Sequence, residues 1–264
     1  MQASSNVMVL VSCGQHPLSG RQRRAESDAK ALEMALRIED ESERSGQAPS
    51  VVYAGDPESL AIREYLGMGI KQLDVLKLPH DADASLALAD HVLARKPKLV
   101  LCGARAEWGE SSGMVPYLVA QSLSATVVPD VVDVLTQTET HAEVLQALSG
   151  GQRRRLRITL PAVLLASRAA PEPRQSAFTK ARDGIVKVLE VAAHKDEFAQ
   201  TWQWQVAKKK PKRVKTVAAS ASGRDRFLAA TAAPASSGGQ VMNNPSPQDA
   251  AEAILVLLKK EGVM

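Results

Sequence analysis

The side chains in this sequence that could carry covalent or metal chemistry do not assemble into a catalytic group. His16, His80, His91, His141 and His194 share no metal-ligand spacing. His91 falls within a helical pattern, where a surface role is the simpler reading. Cys13 and Cys102 form no close pair, which argues against a disulfide framework, a zinc site or an iron–sulfur cluster. Both close apolar strands, where a thiol acts as a small hydrophobe. There is no Walker loop, no GxGxxG and no GxSxG. The acid pairs Asp56/Glu58 and Glu107/Glu110 read as helix caps and first-turn acids rather than an acid/base dyad. The strongest ligand candidate is the turn "GARAEWGESSGM" (103–114). There Ser111, Ser112 and the amides near Gly113 and Met114 would face an anion at a helix start, or one serine simply caps that helix.

Basic residues form the second chemical theme. The formal charge is +4, concentrated at 152–157 ("QRRRLR"), 180–187 and 207–215 ("AKKKPKRVK"). Such runs meet nucleic acid, anionic lipid or acidic protein, but more often form a solvated surface. Trp202 and Trp204 are the aromatics near the last run and lie outside it, so no base-stacking platform is formed and no nucleic-acid partner is expected. The sequence contains no apolar segment long enough to span a bilayer, so no membrane insertion is expected. The start lacks a charged signal n-region, which predicts a cytoplasmic protein.

The elements that must position these residues follow an alternating plan. Short, wholly apolar runs at 6–12, 50–55, 73–78 and 98–103 predict strands. Between them, 26–43, 57–69, 82–95 and 112–124 predict amphipathic helices, with Ser27 or Asp28 capping the first and Pro57 opening the second. Hydrophobic residues make up 45% of the chain and aromatics 3%, so the core must be Leu, Val, Ala and Ile. Apolar strands alternating with helices imply the α/β class, a doubly wound, mostly parallel sheet of the Rossmann-like, nucleotide-binding type. Ligands of such sheets sit beyond the strands' carboxyl ends. This selects the turn after Ala54 and Gly55 and the turn that begins at Gly103; Leu10 of the first strand is a further candidate for cofactor contact.

Residues 141–166 predict a hairpin around Gly150 and Gly151 whose second arm, "LRITLPAVLLA" (156–166), is one long apolar strand. Residues 184–191 predict a further strand. The polar, proline-rich stretch between them, "ASRAAPEPRQSAFTK" (166–180), carries Phe178, an unusual large apolar residue among arginines and lysines. Beyond 195 the composition becomes linker-like until "SPQDAAEAILVLLKKEG" (246–262), a capped amphipathic helix. The expected division is therefore an α/β domain over 1–195 and an arm with a helix over 196–264.

Taken in order, several blocks resemble the β (small) subunit of electron transfer flavoproteins. These are "ALEMALRI" (31–38), "YAGDPESLAIREYLGMGIKQLDVLKL" (53–78), "KPKLVLCG" (96–103) and "GGQRRRLRITLPAVLLASRAAPEPR" (150–174). The resemblance implies a subunit that pairs with a larger α subunit holding most of an FAD site, and usually buries a structural AMP. It implies electron flow from a flavin dehydrogenase to a membrane quinone reductase, with no bond-making chemistry in this chain. It further implies that 167–183 is a recognition loop. Phe178 then stands at the place of an apolar anchor for the dehydrogenase, with Arg174, Lys180 and Arg182 around it; the competing reading folds Phe178 inward as a lid. Residues 14–18, with His16, occupy the place of approach to the partner's flavin. The family's acidic AMP-wrapping turn is represented by "EWGESSG" (107–113), shorter and without its glutamine. The first strand runs on through a much shortened 12–28. A different class remains open, a nucleotide-binding regulatory module needing neither arm nor Phe178.

Overall fold

A computed structural model describes residues 6–16, 18–41, 48–197, 201–203, 205, 222–224, 227 and 241–260. Trp204 and the basic run at 207–215 lie outside the described residues. The chain clusters into two compact units, residues 1–203 and 204–264.

The first unit is built on parallel strands of the kind the apolar runs predict. In chain order they are β1 (Val7–Val11), β2 (Cys13–Gln15), β3 (Gln22–Arg24), α1 (Glu26–Glu41), β4 (Ser50–Gly55), α2 (Ala61–Leu66), β5 (Gln72–Lys77) and α3 (Ala84–Arg95). There follow β6 (Leu99–Gly103), α4 (Val115–Leu123), β7 (Thr126–Gln137), β8 (His141–Ala147), β9 (Arg153–Thr159), β10 (Ala162–Ala166), α5 (Phe178–Asp183) and β11 (Ile185–Glu190). The main sheet has nine strands in the order β11-β5-β4-β1-β6-β10-β7-β8-β9. Pairings from β11 to β7 are parallel, and β8 and β9 extend the sheet as antiparallel strands. Strands β1, β6 and β10 are almost wholly buried because both faces are covered. One face packs residues of α1 and α2 such as Leu32, Met34, Tyr65 and Leu66, and the other packs Leu88 and Val92 of α3 and Val119 of α4. The doubly wound α/β class read from the sequence is the observed fold.

The chain leaves β1 toward β4 and β5 on one side, then crosses back to β6 on the other. The crevice between the carboxyl ends of β1 and β6 is therefore the topological switch point, where such sheets hold ligands.

Several local expectations are corrected. The helix α1 begins at Glu26, so Ser27 and Asp28 lie inside its first turn and do not cap it. Residues 57–60 form a turn held by Asp56, whose carboxylate accepts from the Glu58 amide at 2.9 Å; α2 therefore starts at Ala61, not at Pro57. The single strand read over 156–166 is two strands, because Pro161 has no N–H for a ladder; β9 is an edge strand and β10 a central one. The predicted hairpin does turn at Gly150 and Gly151, both with positive φ, 67° and 76°. Residues 13–24, read as a mere shortened passage, pair as the small hairpin β2–β3.

In the second unit the described helix is α6 (Pro247–Lys260). The Ser246 hydroxyl accepts from the Asp249 amide at 3.1 Å and donates to the Asp249 carboxylate at 2.6 Å, while Lys259 and Lys260 lie in the last turn. No helix among the described residues is long and apolar enough to cross a membrane.

Candidate functional site

The switch point is built around a buried carboxyl. Asp28, 4% exposed, projects from the first turn of α1 between the ends of β1 and β6. Its Oδ2 accepts from the Ser12 amide at 2.7 Å and the Ser12 hydroxyl at 2.5 Å, and its Oδ1 accepts from the Gly103 amide at 2.8 Å. One side chain thus ties together the two strands that diverge there. Burial pushes its pKa up to about 6 against the pull of these hydrogen bonds, and the charge of Glu107 adds to the rise. Glu107, from the loop after β6, accepts from the Glu26 amide at 2.7 Å and pairs with Arg23 at 2.9 Å. It thereby caps α1 and holds the β2–β3 hairpin. Tyr65 closes the floor: its hydroxyl donates to the Ser12 carbonyl and accepts from the Ala25 amide, both at 2.8 Å.

A second constellation holds the loop after β10. Lys30 of α1, itself buried, donates to the Arg168 carbonyl and to Glu172, both at 2.9 Å. Glu33, one turn on, accepts from the Arg174 amide at 3.0 Å and from its guanidinium at 2.9 and 3.2 Å. Burial works to raise the Glu33 pKa, but the hydrogen bonds and charge of Arg174, with help from Arg37, win and hold it below the usual range. Further along, the Ala177 amide donates to the Gly67 carbonyl at 2.9 Å. Arg63 of α2 donates to the carbonyls of Gly184 at 2.8 Å and Ala181 at 3.3 Å, at the end of α5. Gly67 allows this close approach, since a Cβ would lie 1.9 Å from Ser176 Oγ and 3.2 Å from the Ala177 amide nitrogen. The segment is clamped at both ends, and from its middle Phe178 projects 80% exposed. The inward-lid alternative is therefore set aside by the structure. Lys180 and Arg182 are exposed beside it, whereas Arg174 is engaged within the chain.

The other residues singled out by sequence fall as follows. Leu10 is buried in β1 against the α3–α4 face and presents no polar group. Ala54 and Gly55 end β4, with Gly55 at φ 148°. Gly103 ends β6 directly against Asp28. In the turn, Ser111 has φ 56° and its hydroxyl donates to the Ala106 carbonyl. Ser112 is exposed and accepts from the Met114 amide at 3.3 Å, and Gly113 packs against Ala104. Neither serine caps α4, whose first residue is preceded by Met114. His16 sits exposed at the β2–β3 tip, its Nδ1 accepting from the Ser19 amide at 3.2 Å. It lines a cleft of about 320 Å³ with Ser19, Arg21, Gln22, Arg23 and Glu64. Within that group Arg23 Nε is buried without an acceptor among the described residues. Sequence reasoning missed Asp28 as a strand tie, and also Glu33, Lys30 and Arg63 as loop clamps. The available signal was the run of charge on the buried side of α1, at positions 28, 30 and 33.

Fold and site together define a doubly wound α/β protein whose carboxyl edge is braced internally and which displays one clamped, exposed aromatic loop. An electron transfer flavoprotein domain model matches residues 20–194. The electron transfer flavoprotein subunit beta of Chromohalobacter salexigens is 44% identical over 267 residues, covering 100% of this chain and 97% of that protein. The chain belongs to the electron transfer flavoprotein family, as its ordered sequence blocks led us to expect.

Proposed function

We propose that the chain is the small subunit of a heterodimeric electron carrier, joined to a larger α subunit that holds most of an FAD. In this reading it accepts electrons from a flavin dehydrogenase, passes them to a membrane quinone reductase, and works in the cytoplasm without bond-making chemistry of its own. The observation that carries the proposal, given family membership, is the clamped loop with Phe178 exposed and Lys180 and Arg182 beside it. A rigid apolar anchor ringed by charge suits a transient interface, since the loop loses little freedom on docking and the charges speed encounter.

The residues present fit a flavin held chiefly by a partner. The cleft beside the β2–β3 tip is lined by His16, Arg21, Arg23 and Glu64, and Arg21 there is a donor suited to an anionic group brought by another chain. Bound FAD would supply reversible one- and two-electron chemistry; this chain would supply orientation and electrostatics. His16 would meet the flavin from the hairpin tip. The helix α6, with exposed Ile254 and Leu257, would pack on the partner subunit.

The test is Phe178→Ala in the complex. Loss of an interface anchor of about 2 kcal/mol lowers kcat/KM for electron acceptance roughly 30-fold, with flavin content unchanged. Unchanged acceptance, or parallel loss of flavin, would remove Phe178 from the docking surface.

A further inference from the structure

A doubly wound sheet receives a phosphate at its switch point through unpaired amides at the strand ends and the following helix start. In this chain the amides that close β1 and β6 and open α1 are already engaged. Ser12 and Gly103 donate to Asp28 at 2.7 and 2.8 Å, and Glu26 donates to Glu107 at 2.7 Å. Just before the helix, Ala25 donates to the Tyr65 hydroxyl at 2.8 Å and Arg24 to Glu64 at 3.0 Å. In the turn after β6 both serine hydroxyls are spent within the turn, Ser111 donating to the Ala106 carbonyl and Ser112 accepting from the Met114 amide.

Space tells the same story. A Cβ at Gly103 would sit 2.3 Å from Asp28 Oδ1, and one at Gly14 would sit 2.6 Å from Glu107 Oε2. The glycines that elsewhere let a backbone approach a ligand here let it approach the protein's own carboxylates. A phosphate entering the crevice would have to displace two acids, break their hydrogen bonds and face their charge. Burying an anion beside like charge is unfavourable on each count.

We infer that this switch point takes no nucleotide phosphate: Asp28 and Glu107 brace internally what a bound phosphate would otherwise brace, and the AMP implied by the family resemblance is not a ligand of the crevice. The inference concerns this chain's own crevice, and its test uses the complex that rests on the reading above. The full chain is purified with its flavin-binding partner and denatured, and released FAD, FMN and AMP are counted by chromatography with mass detection. Hydrolysis of one FAD yields one FMN and one AMP, so AMP is corrected by the FMN found. The expected result is less than a tenth of an equivalent of AMP per chain, unchanged when the native complex is first incubated with millimolar AMP and then gel-filtered into AMP-free buffer. About one equivalent in excess of FMN overturns the inference while leaving the electron-carrier reading intact. Absence of FAD would instead sink that reading, and the AMP count would still decide the inference.

Discussion

Replacing Asp28 by Asn converts the buried strand tie into a proton-independent one. The Asp28 carboxyl, moved from its ordinary 3.8 to about 6, disfavours folding once ionised, because the folded state then holds its proton more tightly than the unfolded chain. Its contribution is most favourable below about pH 4 and declines as pH rises toward 6. Above that it levels off, with a total cost of about 3 kcal/mol at neutral pH. Asparagine keeps one side-chain oxygen for the Ser12 or Gly103 amide, and leaves the other N–H facing an NH2 group, at about 1–3 kcal/mol. That offset is the same at every pH. The difference between variant and wild type should therefore shift by about 1.3 kcal/mol in favour of the variant between pH 5 and pH 7. Urea unfolding of the full chain at pH 5, 6 and 7, at fixed ionic strength, measures it. A difference that stays flat across this range would refute the buried, pKa-raised tie.

Further outcomes follow from the same contacts. Gly103→Ala would press a Cβ to within 2.3 Å of Asp28 Oδ1 and 2.8 Å of Ser27 Cβ, and should cost about 1–3 kcal/mol in thermal or urea unfolding. Glu33→Gln removes a carboxylate whose pKa is depressed, so the stability lost should be present above about pH 4.5 and vanish as pH falls below it, read by acid titration of both proteins. Arg63→Ala frees the carbonyls at the end of α5; amide exchange at 178–184 should rise with little change in the main sheet.

Much of the sheet was legible because its strands are buried on both faces and therefore uniformly apolar: β4 spans 50–55 as read, and β6 differs by one residue. Boundaries set by single side chains were less so. Pro57 looks like a helix start, yet the Asp56 turn holds it outside α2. The apolar run at 156–166 hides a switch from edge to centre of the sheet, since periodicity reports burial and not neighbours. Phe178 was conspicuous in sequence as an apolar residue in a charged loop. Asp28 was not, because its partners Ser12 and Gly103 lie 16 and 75 residues away. A helix-start acid reads as a cap until the strands around it are known.

The most direct test of the electron-carrier assignment is the colour and size of the purified protein. The full chain expressed alone should be colourless, and with a flavin-binding α partner it should elute as a one-to-one yellow complex holding one FAD. A yellow, FAD-saturated monomer, or a chain that never associates with such a partner, would contradict the account.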